Sequence, residues 1–132
     1  MVAENLEREV SMSEILIVED DARQRAEIEG ALLQAGHRVD VASGGNQALA
    51  RLKEKRYELL VTDLMMDEGT GFDVLEWVLE HAPGLPLVIC SSYAKGENLK
   101  AFLPAQFYRI IRKPFRTDDL VEQVRELLSS AT

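Results

Sequence analysis

Residues 58–71 read "ELLVTDLMMDEGTG". Leu59, Leu60 and Val61 form an unbroken apolar run, Thr62 extends it, and Asp63 closes it before two methionines and an acidic, glycine-bearing loop. A short apolar run of this kind reads as a strand over residues 58–62, covered on both faces. Asp63 then stands where the strand emerges. It is either a solvated strand end or a reactive group, and the rest of the chain has to decide between the two.

On either side of this stretch, residues 14–19 ("EILIVE") and 87–90 ("LVIC") repeat the apolar pattern, and residues 37–42 and 107–112 complete a set of five expected strands. Helical spacing fills the gaps. Ile28, Leu32 and Ala35 predict a helix over 21–35, with Asp21 suited to its start and Gly36 to its end. Ser43 reads as the N-cap of a helix reaching about residue 55, with Ala48, Leu49 and Leu52 inward. Phe72, Leu75, Val78 and Leu79 share one side of a helix over 71–81, and Pro83, Gly84 and Pro86 punctuate the segment after it. A weaker helix is expected over 97–103, stopped before Pro104. Thr117 caps a last helix over 118–128, with Leu120, Val124 and Leu127 on one face. Five strand–helix units in alternation predict a (βα)5 fold: a doubly wound, five-stranded parallel sheet with helices on both faces.

Composition narrows the function. The chain has 132 residues, enough for one domain. A net charge of −8 argues against direct nucleic-acid binding, because phosphates would be repelled. The single cysteine, Cys90, excludes an internal disulfide and suits the cytoplasm. The apolar runs are far shorter than the ~20 residues of a membrane helix, and "MVAENLEREV" lacks the apolar core of a secretion signal. His37 and His81 read as surface residues, Cys90 and Trp77 as packing.

In doubly wound sheets, chemistry sits beyond the carboxyl ends of the strands. Those ends carry Glu19–Asp20–Asp21, Asp63, Ser91–Ser92 and Lys113–Pro114. The first loop, "EDDAR", contains no glycine, so it lacks the usual phosphate cradle. Two unit charges about 5 Å apart repel by roughly 3 kcal/mol at an effective dielectric near 20. Glu19, Asp20 and Asp63 at one edge therefore call for a cation, and Mg2+ suits carboxylates, waters and phosphate oxygens. Acids, metal, hydroxyl and lysine together fit phosphoryl transfer to Asp63, an already ionised nucleophile.

The motifs "ILIVEDD", "VTDLMM…GTGFDVLE", "PLVICSS" and "KPF", in this order, resemble the response-regulator receiver domain of two-component signalling. The resemblance covers about residues 14–128, leaving 1–13 as an N-terminal extension of unassigned role and 129–132 as a tail. It implies the flavodoxin-like, CheY-like form of the fold. It implies that Asp63 accepts phosphate from a histidine kinase or phosphotransfer protein, with Mg2+ or Mn2+ as cofactor. Asp20 and Asp63 would be metal ligands, with Glu19 indirect, and the backbone carbonyl of Met65 would complete the shell. Ser91 would be the switch hydroxyl and Lys113 would contact the phosphoryl group. The chain would catalyse its own phosphorylation and its own dephosphorylation, without being a conventional enzyme. Output would pass through a surface around the 97–103 helix, the fifth strand and the last helix, to a protein partner or a separate output domain. A phosphorylation-dependent dimer is compatible with the same surface.

Three positions depart from the family pattern. Asp67 replaces a usual proline four residues after the acceptor. Ile110 stands three before the lysine, where Tyr or Phe is usual and couples to the hydroxyl; Tyr108 lies two residues earlier on the same face. "LPAQF" replaces the usual Gly-Ala turn. These leave the chemistry in place and bear on how the signal spreads. The competing reading is a pseudo-receiver, a scaffold that binds a partner without phosphorylation. A phosphatase would want a second acid at Met65, and a flavodoxin-like electron carrier would want a phosphate-cradling first loop.

Overall fold

Five strands, Glu14–Val18 (β1), Arg38–Ala42 (β2), Leu59–Asp63 (β3), Leu87–Ser91 (β4) and Tyr108–Arg112 (β5), form one parallel sheet in the order β2-β1-β3-β4-β5. They come from a computed structural model that describes residues 13–64, 71–92, 103 and 106–131. Four helices are described: Ala22–Gln34 (α1), Gly45–Glu54 (α2), Gly71–His81 (α3) and Thr117–Ala131 (α4). The helix expected over 97–103 lies outside the described residues except for Leu103, which is buried in the core. Residues 1–12, Met65, Met66 and Asp67 also lie outside them.

Alternation along the buried strands builds two cores. Leu16, Val18, Leu60 and Ile89 pack with Ala48 and Leu52 of α2 and Val74, Leu75 and Val78 of α3. Ile15, Ile17, Val61, Val88 and Cys90 pack with Ile28 and Leu32 of α1 and Leu120, Val124 and Leu127 of α4. The continuous apolar runs of β1, β3 and β4 follow from this two-sided cover. β5 is an edge strand, and its residues are only partly buried or exposed.

Local chemistry sets the helix ends. The Asp21 side chain accepts from the Gln24 amide at 3.0 Å and caps α1. Gly36, at φ 98°, takes the left-handed conformation that ends it. The expected Ser43 cap differs: Gly44 is the N-cap, and Gln47 instead reaches back to accept from the Ser43 amide and hydroxyl. Phe72, expected inward, is exposed, and Val74 fills the core in its place. Thr117 is the first residue of α4 and not its cap, and that helix runs to Ala131, three residues past its expected end. His37 is half-buried, with its Nδ1 lacking a hydrogen-bond partner; burial pushes its imidazole down from the usual value.

Candidate functional site

The winding reverses at β1, which pairs with β2 on one side and β3 on the other. Ligands collect beyond the carboxyl ends of strands at such a point. Here the carboxyl ends of β1 and β3 carry Glu19, Asp20 and Asp63. Asp63 is the last residue of β3 and sits across from Cys90 of β4. One oxygen from each of the three acids lies within 4.8 Å of the others. Glu19 and Asp63 are buried and Asp20 half-buried.

Lys113 reaches the same spot from the end of β5. Its backbone amide donates to the Ser91 carbonyl at 2.8 Å, which ties the residue to the end of β4. Its Nζ donates to Glu19 Oε1 at 2.8 Å and to Asp63 Oδ2 at 2.5 Å. Glu19 Oε2 accepts from the Asp21 amide at 3.1 Å. Burial raises the Glu19 carboxyl above its usual range, against the lowering pull of Lys113. For Lys113 burial acts downward, but the bonds to Asp63 and Glu19 outweigh it and hold the ammonium above its usual value. The lysine therefore keeps its proton at neutral pH.

The donor set fits a hard divalent cation. Lys113 bonds two of the three carboxylates, and the oxygens of all three are the ligand type Mg2+ takes. Ser91 ends β4, buried, one residue past the cross-strand neighbour of Asp63. Ser92 is exposed. Met65 lies outside the described residues, so its carbonyl is not placed. Ile110 is partly exposed on edge strand β5 and is not part of the cluster. Cys90 is a core residue, its thiol pushed up to about 12 by burial and so inert as a nucleophile. A cavity of about 570 Å3, lined by Leu52, Tyr57, Trp77, His81, Pro83 and Leu128 among others, opens at the amino ends of β3 and β4 and shares no residue with the acids. The sequence reading missed Arg25, whose Nη1 donates to the Glu19 carbonyl at 2.8 Å. A side chain bonded to backbone leaves no residue pattern to find.

Residues 15–125 match the family model of the response regulator receiver domain. The chain belongs to that family. This receiver domain is therefore a two-component signalling module. It is 31% identical over 121 residues to the response regulator receiver protein CpdR of Brucella abortus, covering 91% of this chain and 100% of that one. It is 29% identical to the probable transcriptional regulatory protein TcrX of Mycobacterium tuberculosis, covering 86% of this chain but only 49% of TcrX. Among solved structures, a CheY-like receiver domain from Methanospirillum hungatei superposes with a TM-score of 0.82 at 26% identity, over 92% of this chain and 97% of that one. A receiver protein from Sinorhizobium medicae gives 0.80 at 28% identity, over 93% and 99%. Among the described residues no helix is long and apolar enough to cross a membrane.

Proposed function

We propose that this receiver domain is a cytoplasmic switch that takes a phosphoryl group on Asp63 from the phosphohistidine of a histidine kinase or phosphotransfer protein. The observation that carries the reading is the convergence of Glu19, Asp20 and Asp63 on one another, with Lys113 bonded to two of them. A carboxylate oxygen of Asp63 attacks phosphorus in line. The O–P bond forms, the P–N bond breaks, and the imidazole leaves as it gains a proton. Asp63 needs no general base, because it attacks as the carboxylate.

Bound Mg2+ or Mn2+, held by Asp20, Asp63 and the Met65 carbonyl with Glu19 behind them, would neutralise charge on the transferring group. Lys113 changes partner in the reaction. Its ammonium now neutralises Asp63, and it is in reach of an oxygen of the group that arrives there. The Ser91 hydroxyl, at the next strand end, donates to another oxygen. The aspartyl phosphate adds nearly two charges and three acceptors, and a shift of Ser91 and Lys113 toward it biases the output surface at β5 and α4. That surface would bind a downstream protein or output domain, or a second phosphorylated copy. Water attack on the aspartyl phosphate would reset the switch.

Treatment with a small phosphodonor and Mg2+ should add the mass of one phosphoryl group, and Asp63→Asn should add none. If wild type and Asp63→Asn behave alike, the pseudo-receiver reading replaces this one.

A further inference from the structure

The acid pair Glu19–Asp20 stands on a three-residue connection between β1 and α1, so the shape of that connection decides where both carboxylates point. Glu19 is held at every polar atom. Its amide donates to the Ala42 carbonyl at 3.0 Å. Its carboxylate accepts from Lys113 and from the Asp21 amide. Its carbonyl accepts from Arg25 Nη1 at 2.8 Å, across six residues, from the first turn of α1. The first three bonds hold the strand and the Glu19 side chain. The last holds the peptide plane that joins Glu19 to Asp20. A peptide unit is rigid, so fixing its carbonyl fixes the direction in which the chain enters Asp20.

From this geometry we infer that Arg25 is a positioning residue, which sets the Asp20 carboxylate for metal by clamping the Glu19–Asp20 peptide from the helix side. The inference rests on the metal-dependent reading of the site. It makes a prediction opposite in sign to simple electrostatics. A guanidinium beside an acidic site repels a divalent cation, so removing its charge alone would tighten binding. Removing a clamp would loosen it, as partners behind metal ligands do.

Titration calorimetry with Mg2+ on the full chain separates the two. Arg25→Met keeps the apolar stem and deletes the donors. Arg23→Met, two residues away on the same helix, makes the same charge change at a side chain that is 91% exposed and paired with Glu27. Arg25→Met should weaken Mg2+ binding about 10-fold, with Arg23→Met unchanged or slightly tighter, and Mg2+-free melting temperatures should change little in both. Equal Mg2+ affinity in the two variants, or tighter binding in Arg25→Met, overturns the positioning role. A fall in Mg2+-free melting temperature with Mg2+ affinity intact also overturns it, leaving Arg25 a structural contact. Wild-type protein that binds no Mg2+ would instead overturn the reading of the site itself, and the positioning role with it.

Discussion

Lys113 and Lys55 each hold two carboxylates on the same sheet. Lys113 joins Glu19 and Asp63 at the carboxyl ends of β1 and β3. Lys55 joins Glu14 and Asp40, at 3.0 Å each, beside the start of β1 and the middle of β2. The difference lies in water. Side-chain exposure is 17% for Lys113, 2% for Glu19 and 9% for Asp63, against 42%, 24% and 31% for Lys55, Glu14 and Asp40. The outer cluster keeps its solvent, and the Tyr57 hydroxyl adds a 2.6 Å bond to Asp40. The inner one holds its charges away from water, which costs stability that their pairing has to offset. The same residue types thus make a solvated clasp in one place and a buried, charge-crowded cluster in the other.

Removing each lysine should expose that difference. Lys113→Ala leaves buried carboxylates without their cation and should cost about 3 kcal/mol in urea unfolding. Burial already raises Glu19, and losing Lys113 removes an opposing pull. A carboxyl raised in the fold contributes stability that is complete below its unfolded value of about 4.3 and lost as pH rises through the folded value. The Lys113→Ala deficit should therefore shrink as pH falls from neutrality towards about 4.3. A deficit independent of pH would erase the distinction between the clusters.

The outer cluster should respond less, and the carboxyl shift behind it runs the other way. The Tyr57 hydroxyl holds the Asp40 carboxyl below its usual value. Such a group stabilises above its unfolded pKa and loses that contribution as pH falls through the folded one. Tyr57→Phe should cost about 1 kcal/mol at neutral pH and soften the acid-induced loss of stability below about pH 4. Lys55→Ala should melt close to wild type, since exposed ion pairs contribute little. A loss comparable to that of Lys113→Ala would show that exposure does not separate the two clusters.

Much of this contrast was legible in the sequence, but unevenly. The apolar runs of β1, β3 and β4 and the acids at their ends could be read directly, because two-sided burial writes an unbroken hydrophobic stretch. Lys113 was legible through its motif. The outer cluster was not, because Asp40 in "HRVDVA" looks like any polar residue on an edge strand, and its link to Tyr57 spans 17 residues. Phe72 fitted the helical stripe, yet it is exposed while Val74 is buried in the core. Ser43 lost the cap to Gly44 because the chain bonds Gln47 back to Ser43 itself.

The decisive experiment is to map the phosphoryl group after transfer from a phosphohistidine donor, with and without Mg2+. We expect one group per chain, on the peptide containing Asp63, and only with the metal present. Transfer to Asp40 or Glu14, transfer that ignores Mg2+, or no transfer at all would refute the assignment of Asp63 as a metal-dependent acceptor.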